Sequence, residues 1–221
     1  MEAEALYDPE ARHVEEERTR LWNDLEREVA SCTRCPLCAG RHRTVFGDGN
    51  RRASLLLVGE GPGADEDAQG IPFVGAAGQL LTKILEAAGI QRQDIYIANV
   101  VKCRPPNNRT PQMEEMLACD RFLQAQILLL NPRILVCLGS TPAKWILRTS
   151  EGISKIRGTW FSWRGIDVMP MFHPSYLLRN QSTLVGSPKH QTWLDIQEVR
   201  RRWDMFALQG TPPEAAKGGI S

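Results

Sequence analysis

The chain has 221 residues, 42% hydrophobic and 24% charged, and its 27 Lys+Arg against 26 Asp+Glu leave a formal charge of +1. That profile fits one medium-sized globular domain with a real core, and it excludes whole-chain disorder, collagen-like repeats and a polycation binding by charge alone. No stretch approaches the ~18 consecutive apolar residues of a membrane span. Residues 1–20 are acidic and polar, without the basic-then-apolar layout of a secretory signal, so a cytoplasmic protein with no membrane partner is expected.

In chain order, residues 14–30 carry Leu21, Leu25 and Val29 at helical spacing among many charges, predicting an acidic N-terminal surface helix. Cys32-Thr33-Arg34-Cys35 follows as a C-x2-C pair, with Cys38 close behind; such spacing lets two thiolates address one metal from a single turn. Residues 53–58 form a short apolar run ending at Gly59, a buried strand. Residues 78–88 place Leu80, Leu81, Ile84 and Leu85 on one helical face, and residues 94–101 read as a second strand. Cys103 lies just before Pro105-Pro106, and Cys119 falls inside a long helix over 113–130 that Asn131-Pro132 stops. Residues 134–138 form a third strand, and Thr141-Pro142 has the N-cap and first-turn proline of another helix. A hairpin over 158–163 and 166–172 leads into a last strand, and helix returns over 191–206. One domain over 1–208 is expected, with 209–221 as a disordered tail.

Without a secretory signal, the six cysteines are not read as a disulfide framework. Four thiolates among them are enough for zinc or for a [4Fe–4S] cluster. The spacing does not separate the two, and chain distance also admits Cys38. Cys137, within RILVCLGS, reads as a buried small hydrophobe.

Strands alternating with helices predict a parallel sheet, in which ligands bind beyond the carboxyl ends of the strands. Three such ends carry polar groups: Gly59-Glu60-Gly61-Pro62-Gly63, then Asn99 with the loop Lys102 to Arg109, then His173-Pro174-Ser175. The glycine loop formally satisfies a dinucleotide fingerprint, but Asp65, Glu66 and Asp67 would oppose a pyrophosphate, and the second strand ends in Asn99 rather than an acid. No Lys-Ser/Thr pair makes it a P-loop. A loop of small residues still lets a planar ligand approach backbone amides. Phe73 offers a ring to stack on, Asn99 an amide to read a base edge, and His173 a donor to polarise a carbonyl. Taken singly, each also has a bland reading: core packing for Phe73, a strand-end cap for Asn99, a structural histidine for His173.

The segments GEGPGADEDAQGIPFVGAAGQLL, NVVKCRPPNNRTP and MFHPSYLLRN, with CTRC and TWLDIQEV, closely resemble the family 4 (type A, iron–sulfur) uracil-DNA glycosylases over roughly residues 30–200. The resemblance implies a three-layer α/β/α fold with a central four-stranded parallel sheet, a [4Fe–4S] cluster on Cys32, Cys35, Cys103 and Cys119, and a spare thiol at Cys38. It implies base-excision repair: hydrolysis of the N-glycosidic bond of uracil in single- or double-stranded DNA, leaving an abasic site and free uracil. Gly59, Gly61, Pro62 and Gly63 would supply backbone contacts, Phe73 the stacking ring, Asn99 the edge reader and His173 a donor near uracil O2, with Asn108 also at a functional position. Glu60 and Glu66 are the carboxylates for orienting water or stabilising the sugar cation, since Gly61 stands where the first family of these enzymes has an aspartate. The insertion of the covalently trapping relatives is lacking, so cross-linking to DNA is not expected.

A monomer in the prokaryotic cytosol or nucleoid follows from the same resemblance. The competing class is a non-catalytic iron–sulfur module that binds nucleic acid or senses redox state; polar groups at three strand ends favour the enzyme. Leu177, Leu178 and Arg179 are candidates for a wedge into the duplex. Position matters more than net charge here: the acids crowd the N-terminal helix, while Arg41, Arg43, Arg51, Arg52, Lys102, Arg104, Arg109 and Arg179 lie near the site loops, predicting a basic face for phosphates.

Overall fold

A computed structural model describes residues 9–208; the tail expected at 209–221 lies outside them. Helix α1 (Pro9–Ala30) starts before the apolar repeat does, its first turns being polar and carrying Arg12–Glu16 and Arg20–Glu17 pairs at helical spacing. It packs on α4 (Met113–Leu130), burying Trp22 and Val29.

Six strands form one sheet: β1 (Asp48–Gly49), β2 (Leu55–Gly59), β3 (Tyr96–Asn99), β4 (Ile134–Leu138), β5 (Phe161–Trp163) and β6 (Ile166–Met171), in the order β1-β3-β2-β4-β6-β5. The four central strands are mutually parallel, as expected, and the two edges are antiparallel. The edge strand β1 escapes sequence reading because two residues, one of them glycine, carry no periodicity.

Successive residues of β2 point to opposite faces. Leu56 and Val58 join one core with α1, α4 and α5 (Ser140–Leu147), while Leu55 and Leu57 join the other with α3 (Ala76–Ala87) and α8 (Pro188–Leu208). Both faces are thus covered, which makes the three layers and explains why the strand reads as an unbroken apolar run. Cys137 on β4 is wholly buried in the first core, and burial pushes its thiol far up.

One expectation is corrected. Thr141 does not cap α5; Gly139, at φ 103°, precedes the helix, and the Thr141 hydroxyl donates to Glu60 instead. Three further helices, α2 (Ala64–Gln69), α6 (Ile153–Ile156) and α7 (Pro174–Arg179), are too short to show a hydrophobic repeat.

Helix α8 is fastened by Arg157, whose Nε donates to Asp195 Oδ2 at 2.7 Å and whose Nη2 reaches Oδ1 of the same carboxylate and the Gln191 carbonyl. Asp195 is 3% exposed, so removing its partner strands a charge. Arg157→Ala is expected to cost about 3 kcal/mol, read as a lower urea midpoint with an unchanged slope; an unaltered midpoint would contradict the pairing.

Candidate active site

The parallel register sets Gly59 directly beside Asn99, so the glycine loop and the amide-bearing strand end leave the sheet side by side. The chain after β6 brings His173 to the same edge. Between them lies a cavity of about 250 Å³, lined among others by Glu60, Gly61, Pro62, Gly63, Glu66, Phe73, Asn99, Asn108 and His173. Its size suits one ring rather than an extended cofactor. Of the residues expected at the site, Gly59 alone is not on the wall. It lies behind it, where a Cβ would stand 2.4 Å from Asn99 Oδ1 and 2.6 Å from Phe73 Cζ.

Asn99 is 2% exposed, and among the described residues its Oδ1 has no hydrogen-bond partner. A buried, unpaired carbonyl is costly; here it borders a cavity, where a ligand N–H can satisfy it. Phe73 adopts φ 54°, a conformation rare for a bulky residue. It is held there by Arg92, which donates to the carbonyls of Phe73 (3.0 Å) and Pro72. It is held also by close approach to Gly78, where a Cβ would lie 1.9 Å from the Phe73 oxygen. Strain of this kind costs about 1–3 kcal/mol and concentrates at functional sites. The Phe73 ring lies 5.7 Å from that of His173, tilted by 37°.

His173 caps α7. Its Nδ1 accepts the Ser175 amide at 3.1 Å and lies 2.8 Å from the Ser175 hydroxyl. A backbone N–H can only donate, so Nδ1 is bare and the neutral ring carries its proton on Nε2. Burial, aided by the nearby Arg179 charge, lowers its pKa to about 4 against a partial opposing pull from Glu66.

The two glutamates part company. Glu66 accepts from Gly63 N (3.1 Å) through one oxygen and from Val74 N and Gly75 N (2.9 Å each) through the other, bracing both loops around the cavity. Asp67, also in the acidic run, is buried and takes the amide and ring nitrogen of His42. Glu60 accepts only the Thr141 hydroxyl among the described hydrogen bonds, so Oε1 is uncommitted at the cavity wall. Asn108, at φ 53°, accepts at its Oδ1 from Arg104 Nε (2.7 Å), which leaves its NH₂ as the free end. Arg109 on the same wall is paired with the buried Glu115.

The profile of the Uracil DNA glycosylase superfamily matches residues 46–197. A type-4 uracil-DNA glycosylase of Thermotoga maritima is 50% identical over 167 residues, covering 75% of this chain and 87% of that protein. Type-4 enzymes of Archaeoglobus fulgidus (42%; 71% and 82% covered) and Saccharolobus solfataricus (41%; 69% and 75% covered) are similar too. The chain belongs to the uracil-DNA glycosylase superfamily, in its type-4 branch.

In this uracil-DNA glycosylase family member a second cluster lies beside the first. Cys32, Cys35, Cys38, Cys103 and Cys119 line one small void with Arg41 and Lys102. Burial raises the thiols of Cys35 and Cys103, and that of Cys119 to about 11; neighbouring cysteines add to each. Among the described residues, no three His, Cys, Asp or Glu side chains converge as single-ion ligands. A further observation bears on fit: Lys102 is 1% exposed, and its side-chain partners, Asn99 O and Gln126 Oε1, are both neutral. A buried cation with no carboxylate partner among the described residues, next to thiols, matches a thiolate-ligated centre of net negative charge. Burial lowers the Lys102 pKa to about 8, opposed by Cys119.

The expected basic face is partly overturned. Arg51 and Arg52 turn to Glu26 and Glu15 of α1, Arg41 donates to the Cys32 carbonyl and the Cys103 thiol, and Lys102 is buried. Their chain neighbourhood is right, but their side chains face inward or toward α1. Arg43 and Arg179 are exposed, Arg104 and Arg109 are half-buried with Arg109 paired to Glu115, and Arg52 stays exposed beside Glu15. Leu177 is a core residue at 1% exposed, leaving Leu178 and Arg179 as the exposed pair of the three wedge candidates.

Sequence reading placed Ser175 at the third strand end and Thr141 at a helix cap, but foresaw neither one's contact with a site residue. Ser175 was legible in principle, since a histidine before proline that caps a helix meets the residue two positions on. Thr141 was not, because only folding brings it to Glu60.

His173 titration is testable directly. Between pH 6.5 and about 4 the unfolded chain binds a proton that the folded chain refuses, so this group removes stability as pH falls through that window. In ¹⁵N NMR the ring is expected in the neutral Nε2–H form from about pH 5 upward; an ordinary midpoint, or a proton on Nδ1, would contradict the geometry.

Proposed function

We propose that this protein is a uracil-DNA glycosylase of base-excision repair, releasing free uracil from DNA and leaving an abasic site. The observation that carries this reading is the unpartnered Oδ1 of Asn99, buried at the wall of a ring-sized cavity. Uracil N3–H satisfies it, and the same amide donates to O4. Cytosine offers a bare N3 and an amine there, mismatching both contacts, and a site of buried hydrogen-bonding groups rejects such a ligand strongly.

The target nucleotide is flipped out of the stack at a cost of a few kcal/mol. Stacking on Phe73 offsets about 1–3 kcal/mol of it. As the bond between sugar C1′ and N1 breaks, its electron pair leaves with uracil and positive charge grows on the sugar. His173, neutral and donating from Nε2, stabilises the anion at O2 together with amides of the Gly59–Gly63 loop. Water adds to C1′, and Glu60 orients it and takes its proton. Glu66, with both oxygens committed to backbone amides, is a brace that shapes the loops. Asn108, with its NH₂ as the free end, is assigned to substrate as a donor.

Cys32, Cys35, Cys103 and Cys119 are assigned to a [4Fe–4S] cluster, with Cys38 spare. When bound, the cluster supplies a cross-link between the N-terminal loop, the loop after β3 and α4. The substrate is uracil-containing DNA, single- or double-stranded, handled by a monomer in the cytoplasm; among the described residues no helix is long and apolar enough to cross a membrane. Brown visible absorbance and about four irons per chain are expected on anaerobic purification; a colourless zinc protein with full activity would overturn the cluster.

On a uracil-containing oligonucleotide, Asn99→Ala and His173→Ala are each expected to lower single-turnover release by about 100-fold or more, with iron content and secondary structure intact. Full release by both would refute the assignment of these two residues, whereas no release by the parent chain would sink the enzyme reading in favour of a non-catalytic nucleic-acid module. Glu60→Gln is expected to slow the chemical step at unchanged stability, whereas Glu66→Gln lowers the melting temperature as well. The reverse pattern would exchange their roles.

A further inference from the structure

Lys102 takes part in none of the chemistry above, yet it is buried to 1% exposure between the two clusters. Its Nζ donates to the main-chain carbonyl of Asn99 at 2.9 Å and to Gln126 Oε1 at 2.6 Å. Gln126 is itself fixed, its Nε2 donating to the Phe46 carbonyl (2.8 Å) and to the Tyr96 hydroxyl (3.3 Å). The Lys102 backbone is pinned as well: its N–H points at Cys119 Sγ (3.2 Å), and its carbonyl accepts Val45 N–H (2.8 Å). One residue therefore joins the end of β3, the middle of α4 and the cysteine cage.

The Asn99 side chain is not held by its own polar atoms, because Oδ1 is unpaired before ligand arrives. Its aim depends on the backbone at residue 99. Parallel pairing with Gly59 fixes that backbone on the β2 side, and the Lys102 ammonium fixes its carbonyl. A buried ammonium with two neutral partners is an expensive way to fill space, since an apolar residue of the same length would avoid the desolvation cost.

We infer that Lys102 is a positioning residue: it locks the Asn99 backbone in the geometry that reads the base, and it ties that lock to the cysteine cage. This rests on the reading of Asn99 as the base reader.

The test compares Lys102→Met, of similar length but without donors, in the parent and in the Asn99→Ala background. Iron content, visible absorbance, calorimetric binding of free uracil and single-turnover release are measured. In the parent background, iron and absorbance are expected to stay, uracil binding to weaken, and release to fall about 100-fold, the scale of a small misplacement of a reacting group. On Asn99→Ala the same substitution is expected to change release by less than about twofold, because its effect runs through Asn99.

Parent-level release and uracil binding by Lys102→Met would overturn the inference while leaving Asn99 as reader. So would an undiminished loss on Asn99→Ala, which marks a general packing role. Parent-level release by Asn99→Ala itself would overturn the base-reading assignment, and this inference with it. If Lys102→Met loses its iron, Gln126→Met, which leaves Lys102 a single partner, is carried through the same cycle. A loss of release that disappears on Asn99→Ala supports the lock; no loss, or an additive one, overturns it.

Discussion

At the end of β2 there is no room for a side chain. A methyl group at Gly59 would overlap both Asn99 Oδ1 and the Phe73 ring, so the two groups meet over a bare backbone, and the parallel register sets Asn99 beside that glycine. The surrounding structure follows from this close approach. Phe73 reaches it only in a left-handed backbone conformation, which Arg92 and Gly78 hold. Glu66 then ties Gly63 to Val74 and Gly75, so that the loops carrying the ring and the glycines are joined through one carboxylate.

The electrostatics obey the same economy of rigid parts. Three consecutive acids after the glycine loop look hostile to any electron-rich ligand, but Glu66 is absorbed by three amides and Asp67 by His42. What faces the cavity is a neutral imidazole with an N–H to give, an unpaired amide oxygen and one uncommitted carboxylate oxygen. Such groups are aimed during folding, so little reorganisation is left for the reacting complex. The cysteine cage sits on the far side of Lys102, close enough that the loop after β3 serves both centres.

Elements long enough to repeat a pattern were legible: the four parallel strands, α1, α3, α4 and α8 all lie within a few residues of their expected places. Short pieces were not. Two residues of β1 and six of α7 carry no period, and their shape comes from a neighbouring strand and from a histidine cap. The site was legible as a set of residues because strand ends in a parallel sheet share an edge. Roles were less so. Glu60 and Glu66 are equivalent in sequence, and only the count of amides around each separates them. Arg51, Arg52 and Lys102 were placed on a basic face by their chain neighbours, but a side chain's direction depends on which element packs against it, here α1 and α4.

The layering, the edge at which chemistry gathers, the residue types present there and their family were all legible in the amino-acid order. These depend on local periodicity and on motifs of contiguous residues. Folding alone settles that Asn99 Oδ1 is unpaired among the described residues, that His173 presents Nε2, that Glu66 braces two loops and that Lys102 reaches from the end of β3 to the cysteine cage. Each of those is a fact about hydrogen-bond partners distant along the chain, and a partner exists only once folding has brought it within about 3 Å.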